Sequence, residues 1–135
     1  MRSALSDAER AVVRWARVAR LATVGPDGPH VVPVSPVLDG DIVVFATEIA
    51  TAKVRNLEAD PRVALVFDDY VEDWTALRQV MVTGRAELLR PGPEWERGRA
   101  LLYERYRQYE SEAPIGEDDT LIVRVPIERV ASSGF

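Results

Sequence analysis

Between Arg20 and Val125, short β-branched runs alternate with tight-turn signals, and this punctuation constrains the fold more than any other feature of the chain. Arg20 to Val24 ends at Gly25-Pro26-Asp27-Gly28, and His30 to Val37 is followed by Asp39-Gly40. Ile42 to Thr47, Arg62 to Asp68, Gln79 to Leu89 and Thr120 to Val125 complete the set. Such runs, bounded by turn-forming residues, read as strands. Roughly six of them, connected mostly by hairpins, predict a mainly β fold with flanking helices: an antiparallel barrel closed on itself, its ends covered by helices. The first three runs are expected to form a meander. Pro33 and Pro36 interrupt the second run, and proline removes a ladder donor, so that strand belongs at an edge, at a bulge or where a ligand replaces a neighbour.

The helices are marked by their caps. Ser6 and Glu9 form a capping-box pattern, and Leu5, Ala8, Val12, Trp15 and Ala19 recur at spacings of three and four, which predicts an amphipathic helix from Ser6 to Ala19. Thr51 is a natural N-cap for a short helix that turns Val54 and Leu57 inward and closes at Pro61. Pro91-Gly92-Pro93 precedes a further helix, from about Glu94 to Tyr109. Trp15 and Trp95 lie at helical spacing from other apolar residues and read as packing residues. With 135 residues, the chain is expected to form a single domain. Its parts are a helix to residue 19, strands and a short helix over 20–89, a helix over 93–109 and a last strand over 120–130.

Composition removes several chemistries. The chain has no cysteine and a single histidine, His30, so thiolate nucleophiles, cysteine-ligated metals and a Ser-His-Asp triad are poor expectations. A net charge of −5 argues against a nucleic-acid partner. No unbroken apolar stretch exceeds five residues, the length of Ile42 to Ala46, which is far below a membrane span, and Arg10, Arg14, Arg17 and Arg20 interrupt the first segment where a signal peptide would be apolar. A cytoplasmic location is the default expectation. Neither a Gly-x-Gly-x-x-Gly turn nor a P-loop is present, and the carboxylate clusters at Asp68-Asp69, Glu72-Asp73 and Glu117 to Asp119 read as solvated loops.

The segment from Thr47 to Asn56 carries more. A strand ending in a hydroxyl residue leads to a helix capped by Thr51, with Lys53 in its first turn. Lys53 is the only lysine among 17 basic residues. An ammonium there opposes the helix dipole unless an anion lies between them, so free amides, the dipole and Lys53 could converge on a phosphate. Capping alone explains Thr51 as well, and a solvated helix face would explain Lys53. Both accounts stand on the residues alone. Arg55 and Asn56 are weaker candidates, and Trp74, in a polar loop, could cover the core, form an interface or stack on a planar ligand.

The run FAT-x3-TAK-x-RNL-x2-DPRVALVF, followed by Trp74 and RQVMVTGRAEL, resembles the pyridoxamine 5′-phosphate oxidase-like split-barrel proteins, the flavin and deazaflavin oxidoreductases. RLATV-x-PDG-x-PHVVPV extends the similarity over Arg20 to Leu89. The resemblance implies a six-stranded split barrel that forms homodimers with cofactor sites between subunits, and a small-molecule substrate. In that frame Val32, Pro33, Val34 and Ser35 lie along a tricyclic ring. Thr47 and Thr51 meet its phosphate, Lys53 pairs with it, and Ala46, Ala52 and Asn56 also lie at the cofactor. Gln79 reaches the cofactor and Trp74 flanks the pocket. Ala52 stands where authentic vitamin B6 oxidases carry an arginine, and Arg129 to Phe135 supplies no substrate-binding extension. The wording AKVRNL is closer to the branch that uses coenzyme F420, which implies hydride transfer between reduced F420 and an unsaturated small molecule. FMN is the alternative cofactor, and a non-catalytic flavin or F420 carrier or sensor the alternative role.

Overall fold

The computed structural model describes residues 2–135. Helix α1 (Asp7–Trp15) opens with the expected capping box: the Ser6 hydroxyl accepts from the Glu9 amide and the Glu9 carboxylate accepts from the Ser6 amide. The strands are β1 (Ala19–Gly25), β2 (Gly28–Val34), β3 (Val37–Asp39), β4 (Ile42–Glu48), β5 (Arg62–Asp69), β6 (Arg78–Arg85), β7 (Glu87–Leu89) and β8 (Thr120–Ser133). Helix α2 (Ala52–Ala59) lies between β4 and β5, and α3 (Pro93–Arg105) and α4 (Gln108–Ser111) lie between β7 and β8. Gly28 and Gly40 take positive φ angles in the turns before β2 and β4.

The strand order is β2-β1-β5-β6-β8-β4-β3, all antiparallel, with β7 pairing β8 beside that path. The sheet is therefore a curled, mainly β half-barrel with eight strands rather than six. Two of the expected runs each divide. Ser35-Pro36 separates β2 from β3, and Ala86, whose amide donates to the Pro61 carbonyl at 2.8 Å, separates β6 from β7. The expected three-strand meander does not form: β4 pairs with β3 and β8, not with β2. Among the described residues no pairing joins β2 to β3, so the ladder is an open path rather than a closed ring. Those two strands are its ends, which is where the prolines of the second run place them.

Strand β8 is the longest, and its two halves do different work. Thr120 to Pro126 pairs with β4, and Ile127 to Ser133 pairs with β6 across a register shift at Thr83/Gly84. A Cβ on Gly84 would stand 2.4 Å from the Pro126 carbonyl oxygen, so only glycine lets the strands meet there. One core lies within the curl, around Leu21, Phe45, Leu65, Phe67, Val82, Val123 and Val125. A second lies on the back of β4 and β8, where Val44 and Ile122 pack against Trp95, Leu102 and Tyr106. Trp95 is buried as expected, and its indole N–H donates to the Thr120 carbonyl.

Two helix expectations change. The helix read over 93–109 breaks at Tyr106, whose hydroxyl donates to the Pro36 carbonyl and turns the chain into α4. The first helix ends at Trp15, and its buried face is Leu5, Glu9, Val12, Val13 and Ala16, leaving Trp15 65% exposed. The rotation follows from Glu9, which is buried against Ser132 and Arg2 and so ties both ends of the chain together. No described helix is long and apolar enough to cross a membrane.

Arg2, donating two hydrogen bonds, holds the Glu9 carboxyl well below its ordinary value of 4.5. A depressed native value contributes stability that is present above the ordinary value and is lost as pH falls below it. Glu9→Gln should therefore destabilise the protein at pH 7 by about 1–3 kcal/mol. Urea unfolding should show that difference narrowing steadily below the ordinary value.

Candidate functional site

A cleft of ≈ 450 Å3 opens where the edge strand β2 ends, beside the end of β4 and the start of α2. Pro33, Val34 and Ser35 form one wall, and Ala46, Thr47, Thr51 and Lys53 form the other. Seven of the residues expected at a cofactor thus come together from three separate stretches of sequence. Val18, Glu48 and Tyr109 complete the lining. The volume falls within the range of about 300–1,000 Å3 typical of small-molecule sites.

Local chemistry builds the phosphate-facing side. Thr51 is the N-cap of α2: its hydroxyl accepts from the Val54 amide at 3.4 Å and donates to the Glu48 carbonyl at 3.2 Å. The Thr47 hydroxyl donates to the same carbonyl at 3.3 Å. Ile49 is anchored by its amide to the Asp119 carbonyl, which fixes the turn between β4 and α2. The amides of Ala52 and Lys53 open the helix and have no acceptor within it. Lys53 makes no hydrogen bond or ion pair with any described residue. Burial pushes its pKa down, and the nearby Glu48 carboxylate offsets part of that shift. A partly buried ammonium and the N-cap residue of α2 thus line the same cleft, and both an ammonium and a helix start favour an anion.

The opposite wall is apolar and extended. Pro33 and Val34 end a strand with no neighbour on its outer side. Tyr109 is held by a parallel stack on Tyr103, with centroids 5.9 Å apart, and by an edge contact with Tyr106 at 6.0 Å. These residues can exclude water from a flat ring and leave the β2 backbone to meet its polar edge.

The other expected residues lie elsewhere. Val32 packs against the main core. Ala52 begins α2 without lining the cleft. Asn56 is buried, donates to the Thr23 hydroxyl at 3.1 Å and closes against Gly25, where a Cβ would meet its side-chain oxygen at 2.8 Å. Gln79 lines a separate cleft with Asp68, Tyr70 and Leu77. Trp74 is 72% exposed, its indole donating to the Tyr70 hydroxyl. Sequence reasoning missed Val18, Glu48 and Tyr109. Only Tyr109 left a signal, the three-residue spacing of Tyr103, Tyr106 and Tyr109.

An open split barrel with an anion-seeking helix start beside its edge strand defines a class of small cofactor-binding folds. The family model for pyridoxamine 5′-phosphate oxidase matches residues 5–134, and the chain belongs to that family. No curated protein matches the sequence. Among solved structures, a conserved hypothetical protein of Mycobacterium tuberculosis, Rv2991, is 28% identical, with a TM-score of 0.78 over 95% of this chain and 84% of that one. An FAD-binding protein from Mesorhizobium loti is 24% identical, with a TM-score of 0.78 over 95% and 94% of the two chains. The heme storage protein HutZ from Vibrio cholerae is 19% identical, with a TM-score of 0.81 over 98% and 96%. The last two likenesses are of fold.

Because Asn56 is spent on Thr23, Asn56→Ala should act on stability. Leaving the buried Thr23 hydroxyl unpaired should cost about 1–3 kcal/mol in urea unfolding.

Proposed function

We propose that the cleft between β2, β4 and α2 binds coenzyme F420, and that the protein is an oxidoreductase passing hydride between reduced F420 and an unsaturated small molecule. The observation that carries this reading is Lys53, a partly buried ammonium at the start of a helix that makes no ion pair with a described residue and faces an extended apolar wall. When bound, the cofactor supplies the hydride chemistry. The chain supplies the rest. Lys53 and the first amides of α2 hold the phosphate, Pro33 to Ser35 orient the ring, and Val18 and Tyr109 keep water out. FMN is the second reading, because it offers the same phosphate and a similar ring. The FAD-binding protein that shares the fold supports a flavin in this architecture.

Two copies pair in this proposal. The register places Val31, Ala22, Ala64 and Thr83 in one outward row, and Pro33, Arg20, Val66 and Met81 in the next. Val31 is 61% exposed and Met81 38%, an apolar sheet face without a cover. A partner seated there supplies a route for Trp74 and Gln79, remote from Lys53 within one chain, to reach the partner's cofactor.

Fluorescence titration with F420 and, separately, FMN tests the cofactor. F420 should bind more tightly, and Lys53→Ala should weaken it by about 1.5–3 kcal/mol, the scale of a hydrogen bond to a charged group. Tighter FMN binding moves the function to the flavin reading, and failure to bind either overturns both. Light scattering should give a dimer for the native chain and a monomer for Met81→Asp; a native monomer removes the shared site.

A further inference from the structure

A second cleft, ≈ 670 Å3, lies beside the Lys53 cleft, and Val18 lines both. It forms where the link from α1 to β1 meets the end of β5 and the last turn of α3. Its apolar walls are Trp15 and Tyr70, 65% and 61% exposed. Tyr70 is braced by the Trp74 indole, which donates to its hydroxyl at 3.2 Å. Leaving two large aromatic side chains open to water sacrifices burial energy that Trp95 realises in full.

Charge is unevenly placed in the same cleft. The chain carries −5 overall, yet three guanidiniums, Arg17, Arg20 and Arg105, line this space with a single carboxylate, Asp68. Asp68 is paired with Arg20 at 2.8 Å. Arg105 spends one nitrogen, Nη2, on the carbonyls of Arg14, Trp15 and Ala16 that end α1. Arg17 spends Nη1 on the Arg105 carbonyl and lies over the Tyr106 ring. Neither meets a carboxylate, and each keeps further N–H donors in a planar fork. Helix-end carbonyls carry only partial negative charge, so the cleft stays cationic.

We infer that this cleft takes a planar, conjugated carboxylate, its rings against Trp15 and Tyr70 and its carboxylate on Arg17 and Arg105. Flat aromatic walls select a flat apolar body, and forked donors select a carboxylate. That ligand would be the substrate of the proposed oxidoreductase, a role that rests on the cofactor reading, because the shared Val18 wall sets the two ligands side by side.

Calorimetric titration with naphthoate and with its uncharged amide, naphthamide, tests the inference on the native chain and three variants. The carboxylate should bind about tenfold more tightly than the amide. Arg17→Gln should erase that preference, Trp15→Leu should weaken both ligands alike, and Lys53→Ala should change neither. Equal binding of the two probes, or loss of naphthoate binding in Lys53→Ala, overturns the inference, the second result placing the probe in the neighbouring cleft. Trp15→Leu that shifts the oligomeric state and leaves both affinities unchanged also overturns it, assigning Trp15 to assembly. The two proposals fail separately. Naphthoate preference without F420 or FMN binding upholds the carboxylate cleft and sinks the cofactor reading, whereas F420 binding without that preference sinks the inference alone.

Discussion

One strand serving two sets of neighbours is the constraint from which the rest of the architecture follows. The first half of β8 is hydrogen-bonded to β4 and β7, and its second half to β6, so a single stretch of backbone joins both parts of the sheet. The changeover sits at Gly84, against the Pro126 carbonyl, where no side chain fits. Because the first half of β8 is covered on both faces, its residues are apolar without alternation: Leu121, Ile122, Val123 and Val125 are all buried. Val123 and Val125 fill the curl, while Ile122 meets Trp95 behind it. The position of β4, and with it the turn that carries Lys53, is therefore set from β8.

The opening of the barrel depends on what the other edge lacks. Pro29 and Pro33 within β2, and Pro36 just after it, deprive that edge of three amide donors. Without them a further strand has little to pair with, and the space between the ends of β2 and β4 remains a cleft rather than a ladder. The Tyr106 hydroxyl on the Pro36 carbonyl then holds the crossing from β2 to β3 against the second core. The site is thus a consequence of incomplete closure, which is why residues from Val18 to Tyr109 meet there.

Local chemistry was legible in the sequence, and partnership across the chain was not. Turn signals placed most strands, Thr51 announced its cap, and the prolines foretold an edge. Each is decided within a few residues of itself. The count of strands failed because Pro36 divides a run whose halves pair with β1 and β4, and Ala86 one whose halves pair with different halves of β8, a choice made in tertiary structure. Trp15 was misread because apolar spacing favoured it, whereas the buried face of α1 is fixed by Glu9, a charged residue that enters the core only because Arg2 and Ser132 come to meet it. For the site, Pro33 to Ser35, Ala46, Thr47, Thr51 and Lys53 converge, while Asn56 is taken by Thr23, a partner 33 residues away. Gln79 and Trp74 lie where a single chain gives them no role at Lys53.

Charge placement links the two clefts in the proposed function. An acidic chain can lower its electrostatic energy by pairing each cation with one of its many carboxylates, as Arg62 does with Asp60 and Arg97 with Asp39. Lys53, Arg17 and Arg105 have no such pair among the described residues, although the chain has 22 acidic residues. Burial raises the energy of the Lys53 ammonium, and the dipole of α2 raises it further. Glu48 relieves only part of this, from the rim of the cleft. An anion placed between Lys53 and the helix start removes both penalties at once, and one placed on the free donors of Arg17 and Arg105 satisfies a second, separate set. Since Val18 lines both clefts, the two proposed ligands would lie as neighbours, the arrangement that the proposed transfer between them requires.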